Sequence, residues 1–88
     1  MSKRIFIDVR EEYEYLMGHL RDAINLPLSK LSASGKKMLE DIEQDAELVI
    51  YCRSGARAST AVSIFKGYGY NAVNGINQQE CQRTYKIF

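Results

Sequence analysis

The chain has 88 residues, a net charge of +1, and a composition that is 45% hydrophobic and 26% charged. This length accommodates one domain, residues 1–88, and the composition is that of a globular chain rather than a disordered one. The near-neutral charge argues against a nucleic-acid-binding protein, and the longest apolar runs, such as residues 48–52, are too short to span a membrane.

The termini and the cysteines indicate the compartment. Residues 1–4 are followed by only three apolar residues before Asp8, so no secretory leader is visible. Two cysteines without a leader are typical of cytoplasmic thiols rather than of a disulfide framework. Two cysteines and one histidine are also too few for an ordinary structural zinc site, so we expect no metal and a cytoplasmic location.

The N-terminal third predicts a strand, a helix and a second strand. Residues 5–9 are β-branched and aromatic and predict a short buried strand. Apolar residues then recur at helical spacing and predict a helix that begins near Arg10 or Glu11 and ends at Gly18. These residues are Val9, Tyr13, Leu16, Met17 and Leu20. Residues 23–26, before the single proline, predict the second strand.

The middle of the chain is more polar. Residues 29–35 are typical of a turn with one short helical segment. Residues 36–43 place Met38, Leu39 and Ile42 on one face and predict a surface helix.

The C-terminal half returns to alternating strands and helices. Residues 48–51 form a continuous apolar run that is typical of a central parallel strand, and a helical stripe begins at Ala58. Residues 71–73 predict a last strand, and residues 76–85 predict a terminal helix. The alternation indicates a mainly parallel α/β sheet, in which ligands gather beyond the carboxyl ends of the strands. Cys52 follows the central strand and therefore lies at such a position.

The loop after this strand carries the features of a reactive cysteine. A thiol between a buried strand and a helix N-terminus is stabilised as a thiolate by the helix dipole and by unpaired backbone N–H groups. Arg53 and Arg57 add positive charge at close range, and Gly55 allows the backbone to curl into an anion-binding nest. The loop therefore predicts a pocket for a cysteine-bound sulfur anion or for an oxyanion.

Residues 52–57, Cys-Arg-Ser-Gly-Ala-Arg, resemble the active-site loop of the rhodanese (thiosulfate sulfurtransferase) family. Residues 7–11 resemble the family's first-strand signature, and residues 18–27 resemble its "GHIxGAxNIP" segment. The resemblance runs from Ile5 to Ile76, although Asn74 stands where the family has a glycine, and the usual tryptophan after Gly-Ile is absent. It implies a rhodanese-like three-layer α/β fold with a mainly parallel central sheet of four to five short strands flanked by helices.

The resemblance also implies a function that needs no cofactor. Cys52 would be the catalytic nucleophile that carries sulfur from a small anionic donor, such as thiosulfate, to cyanide, a thiol or a sulfur-acceptor protein. The substrate-binding loop would comprise Arg53, Ser54, Gly55, Ala56 and Arg57. Its backbone would stabilise a persulfide, and its two arginines would hold the sulfonate end of the donor, with Arg57 also available to fix the loop. Neither nucleic acid nor a membrane is an expected partner.

Two alternatives remain open at this point. Cysteine phosphatases and arsenate reductases of the same fold are characterised by a Cys-x5-Arg pattern, whereas four residues separate Cys52 from Arg57 here. This shorter loop suits one sulfur atom better than a phosphate. The domain could instead relay sulfur to a dedicated protein with little turnover of thiosulfate.

Four further residues receive structural interpretations. Asp8 and Arg10 are interpreted as a pair that orders loops near the site, and His19 as a hydrogen-bonding residue of a connecting loop. Cys81 could resolve a persulfide into a disulfide, but a half-buried position in the C-terminal helix is the favoured interpretation.

Overall fold

The computed structural model describes residues 3–87, except for the side chains at positions 32–34 and 36. Strands and helices alternate throughout this range. The domain limits predicted above include terminal positions outside this range. The elements are β1 (Arg4–Asp8), α1 (Glu12–Leu16), β2 (Ile24–Asn25), α2 (Leu28–Met38), β3 (Glu47–Tyr51), α3 (Ala56–Gly67), β4 (Asn71–Ile76) and α4 (Gln78–Tyr85). The four strands pair in the order β2-β1-β3-β4, and every pairing is parallel. The predicted α/β fold is confirmed.

Two apolar clusters cover the two faces of the sheet and define three layers. On one face, Leu48 and Ile50 of β3 pack in a cluster with residues of α2 and α3. On the other face, Val49 and Tyr51 pack with Cys81 of α4. Successive β3 side chains point to opposite faces of the sheet, and both faces are buried, which explains why this strand is a continuous apolar run.

The segment after β2 differs from the expectation of a turn at residues 29–35 and a helix at 36–43. A single helix, α2, spans Leu28–Met38, and a series of turns follows it. The Pro27 carbonyl accepts hydrogen bonds from the N–H groups of Lys30 and Leu31 at the start of this helix. Because Leu31 is buried against α3, tertiary packing overrides the low helix propensity of the intervening serines and glycine.

Helix α1 differs in both its length and its orientation. It has five residues, and its buried residue is Glu14 rather than an apolar one. Glu11 and Glu14 form a capping box at its N-terminus. The apolar periodicity that predicted this helix therefore does not mark a core-facing stripe, and Tyr13, Leu16 and Met17 are exposed.

The last strand and helix have different limits from those predicted. Strand β4 continues to Ile76 because it pairs with β3 as far as Tyr51. Helix α4 begins at Gln78, where the Asn77 side chain accepts a hydrogen bond from the Glu80 N–H at 2.8 Å. No helix within residues 3–87 is long and apolar enough to cross a membrane.

Candidate active site around Cys52

Cys52 lies where the carboxyl ends of β1, β3 and β4 meet. It follows β3 directly, and its N–H donates to the carbonyl of Ile76 at the end of β4. Three residues later Gly55 adopts a left-handed backbone (φ 93°), and α3 begins at the next residue. This conformation favours glycine and turns the chain sharply from the strand into the helix.

Backbone N–H groups surround the Cys52 sulfur. The Gly55 N–H donates to Sγ at 3.1 Å, and the residue is only 2% exposed. Burial by itself raises the pKa of the thiol, but the combined backbone N–H groups of Ala58, Gly55, Ser54 and Arg57 outweigh it and lower the pKa below its ordinary value. The site therefore stabilises a thiolate, or a sulfur anion bonded to it, mainly with backbone dipoles.

Asn74 connects the two segments on either side of Cys52. Its Nδ2 donates to the Gly55 carbonyl at 3.0 Å, and its Oδ1 accepts from the Ile76 N–H at 2.8 Å. Ile76 has φ 71°, a conformation that is costly for a β-branched residue. Asn74 thus supports both the strained end of β4 and the turn before α3. Its only signal in the sequence was the departure from the family's glycine.

Asp8 and Arg10 form a buried ion pair next to the loop. Arg10 Nε donates to Asp8 Oδ1 at 2.9 Å and Nη2 to Oδ2 at 2.6 Å. Nη2 also donates to the Gly18 carbonyl at 2.7 Å, and Asn25 Nδ2 donates to the carbonyls of both members of the pair. The pair therefore ties the end of β1 to the segment after α1 and to β2.

Arg57 is held by Glu14, which the sequence did not single out. Its Nη1 and Nη2 donate to the two carboxylate oxygens at 2.7 and 3.0 Å. The hydrogen bonds from Arg57 lower the pKa of Glu14 to about 2, although burial opposes the shift. The guanidinium that was expected to hold a sulfonate is thus engaged with a carboxylate. Glu14 resembled the other acids of the helix, so its role depends on a contact 43 residues away.

An open depression of about 360 Å³ gives access to Cys52. Its lining contains two cationic side chains, Arg10 and Arg53, and no carboxylate; the other lining residues are Cys52, Asn77, Gln78 and Gln79. Arg53 is exposed, and no carboxylate within residues 3–87 forms an ion pair with it. A larger cavity, about 700 Å³, lies beside β1 and the C-terminal segment and includes no residue of the cysteine loop.

The remaining loop residues and candidates occupy distinct positions. Ser54 and Ala56 are exposed on the loop, so Ser54 contributes through its backbone. The His19 ring stacks on Tyr15 at 3.6 Å and its Nδ1 lies 2.8 Å from the Tyr15 carbonyl, outside the lining of the depression. Cys81 is buried on the opposite face of the sheet, and burial raises its pKa to about 11. This environment favours the structural interpretation of Cys81.

The described residues offer no arrangement for a resident metal ion. No group of three or more His, Cys, Asp or Glu side chains within residues 3–87 is placed to hold one.

Comparison with curated proteins finds relatives that are much longer than this chain. The tRNA uridine(34) hydroxylases of Citrobacter koseri and Salmonella arizonae are 34% and 35% identical over 71 residues, which cover 78% of this chain. The match spans only 20% of the length of each of these relatives.

Solved structures of similar fold come from several organisms. A rhodanese-related protein from Thermoplasma volcanium gives a TM-score of 0.75 at 26% identity and covers 97% of this chain and 81% of that one. A single-domain sulfurtransferase from Saccharomyces cerevisiae gives 0.73 at 27%, covering 92% and 76%. A human single-domain sulfurtransferase gives 0.73 at 25%, covering 92% and 82%.

The model of one family, described as "Rhodanese-like domain", matches residues 1–77. The matched region contains the whole cysteine loop, the buried Asp8–Arg10 pair and the Glu14 that holds Arg57. The parallel sheet and the cysteine at its carboxyl edge agree with this match. The chain therefore belongs to the rhodanese-like domain family.

Proposed function

We propose that this domain is a sulfurtransferase that carries sulfane sulfur as a persulfide on Cys52, from thiosulfate or a similar donor to a thiophilic acceptor. The observation that supports this best is the nest of backbone N–H groups around a buried Sγ whose pKa is lowered. Such a nest stabilises one sulfur anion bonded to the cysteine and requires no cofactor. The similarity to single-domain sulfurtransferases from yeast and human supports the same reaction class.

The transfer takes place in two steps. The Cys52 thiolate attacks the outer sulfur of thiosulfate, a new S–S bond forms, and the donor's S–S bond breaks so that sulfite leaves with the electron pair. The resulting persulfide anion lies in the nest of N–H groups. Cyanide or a thiolate then attacks its outer sulfur, and Cys52 leaves as the thiolate that began the cycle.

Binding of an anionic donor depends mainly on Arg53 in this arrangement. Arg10 lines the depression but is paired with Asp8, and Arg57 is paired with Glu14. Arg53 is therefore the loop cation that remains to receive a sulfonate. The Arg57 backbone still contributes its N–H to the nest.

Intact-mass measurement after incubation with thiosulfate tests the proposal. The wild type and a Cys81→Ser variant should each gain the mass of one sulfur atom, and cyanide should remove it with formation of thiocyanate. A Cys52→Ser variant should gain nothing. Absence of an adduct on the folded wild type, or an adduct that persists in Cys52→Ser, would contradict the mechanism.

A relay to a dedicated protein acceptor is the second candidate. The depression is open, which favours access by a macromolecular thiol. Comparing the steady-state rate with cyanide against the rate with a protein thiol would distinguish the relay from general turnover of small acceptors.

The cysteine phosphatase and arsenate reductase alternative has less support. Its longer loop would place an arginine over a tetrahedral oxyanion, whereas Arg57 is held here by two hydrogen bonds to Glu14. Hydrolysis of a phosphate ester that depends on Cys52 would favour that alternative.

A further inference from the structure

An apolar surface lies on α1 and its C-terminal cap, beside the active site. Tyr13, Leu16 and Met17 are 67%, 71% and 85% exposed, and they are three of the six most exposed large apolar side chains within residues 3–87. We call these three residues the apolar rim. Exposure of several large apolar side chains on so short a helix has an energetic cost in water and is typical of a contact surface.

The apolar rim is joined to the site at both of its ends. At one end, Glu14 follows Tyr13 and holds Arg57 of the cysteine loop. At the other end, Gly18 follows Met17, and its carbonyl accepts hydrogen bonds from Arg10 and Gln78. Both donors line the depression over Cys52. Because these hydrogen bonds connect the residues next to the rim with the cysteine loop and with the lining of the depression, we expect a molecule that covers the rim to lie near the opening through which sulfur must leave.

Area and charge indicate which kind of molecule fits. Three partly exposed side chains offer a few hundred Å² of apolar surface. A stable complex buries about 800 Å² from each partner, so the rim suits a short-lived encounter rather than a permanent dimer. Arg53, exposed and without an ion-pair partner in the described part of the chain, adds a positive charge at the opening. An acidic group on the partner would complement it.

We propose that the apolar rim docks a sulfur-accepting protein whose reactive cysteine is flanked by apolar residues and a carboxylate. This inference rests on the proposed function and names the partner class for the second half of the reaction. The partner's thiolate attacks the outer sulfur of the Cys52 persulfide, and the existing S–S bond breaks. The electron pair returns to Cys52, and the partner leaves as a persulfide, so no external oxidant or reductant is consumed.

The rate of sulfur transfer to synthetic peptides tests this docking. One ten-residue peptide carries a reduced cysteine flanked by leucines and an aspartate, and a matched peptide has serines in place of the leucines. The wild-type persulfide should react about tenfold faster with the apolar peptide, because part of the rim is buried in the encounter. A Leu16→Ser/Met17→Ser variant should lose this preference while its rate with cyanide stays within twofold.

A second variant controls for a general loss of surface apolarity. Ile24→Ser/Tyr68→Ser removes two other exposed apolar side chains, which belong neither to α1 nor to the lining of the depression. It should keep the preference for the apolar peptide. Equal rates of the wild type with the two peptides, or equal losses in both double variants, would overturn the proposal.

Binding without chemistry separates this inference from the proposed function. In a ¹⁵N NMR titration of the reduced protein with the apolar peptide, its cysteine replaced by serine, shifts should be confined to α1 and the cysteine loop. Such shifts in a protein that forms no persulfide would uphold the docking surface and refute the proposed function. Sulfur transfer from the persulfide to cyanide without these shifts would uphold the proposed function and refute the docking surface. If sedimentation shows a dimer of the wild type and a monomer of the Leu16→Ser/Met17→Ser variant, a second copy of this chain would occupy the rim, and the proposed partner would be wrong.

Discussion

The ion pair between Glu14 and Arg57 makes the stability of the domain depend on pH in a defined way. Replacing Glu14 with glutamine preserves the shape of the side chain but removes its charge. A carboxylate whose pKa falls from 4.5 to about 2 gains at most about 3 kcal/mol from folding. Because the Arg57 side chain is 34% exposed, solvent screening reduces this to about 1–2 kcal/mol. We expect Glu14→Gln to lower the free energy of unfolding by that amount at pH 7.

The difference between the wild type and Glu14→Gln should depend on pH. The folded state lowers the pKa of this carboxylate, so its stabilising contribution is complete above about pH 4.5 and disappears as the pH falls towards about 2. Urea unfolding followed by circular dichroism at pH 7, 5 and 3 measures the difference directly. Other carboxylates titrate in both proteins and therefore largely cancel.

A matched control is available on α4. Glu80 pairs with Arg83 at 3.1 Å, and the Arg83 side chain is 75% exposed, so Glu80→Gln should change the free energy of unfolding by less than about 0.5 kcal/mol. A Glu14→Gln effect no larger than that of Glu80→Gln, or one that is the same at pH 7 and pH 3, would refute the role given to the Glu14–Arg57 pair.

Three further results are expected. Asn74→Ala removes the hydrogen bond to the Gly55 carbonyl and the one from the Ile76 N–H. The free energy of unfolding should therefore fall by about 1–2 kcal/mol, and the alkylation of Cys52 should require a higher pH. Gly75→Ala would bring a Cβ to 2.6 Å from Cys81 Sγ, so a shift in the urea midpoint equivalent to about 1–3 kcal/mol is expected, and an unchanged midpoint would contradict the packing. Iodoacetamide at neutral pH should modify Cys52 and spare Cys81, whose pKa is about 11, until the protein unfolds; peptide mapping that finds both modified in the folded state would refute this assignment.

The sequence alone determined the features that depend on local pattern. The β-branched run of β1, the apolar run of β3 and the stripe of α3 led to strands and a helix that the structure contains. The motif from Cys52 to Arg57 placed the reactive cysteine candidate at a strand-to-helix junction because only a few residues separate the two elements. These features depend on residues that are close together in the sequence, so a single sequence is enough to predict them.

Tertiary structure decided the features that depend on contacts between distant residues. Glu14 turns inward because Arg57 lies opposite it, and the apolar residues of α1 remain in solvent as a result. Residues 28–38 form one helix because α3 and the sheet bury Leu31. Asn74 acquires its role because the end of β4 lies beside the turn at Gly55. Periodicity shows which residues of an element share a face, but the free energy of long-range pairing decides which face is buried.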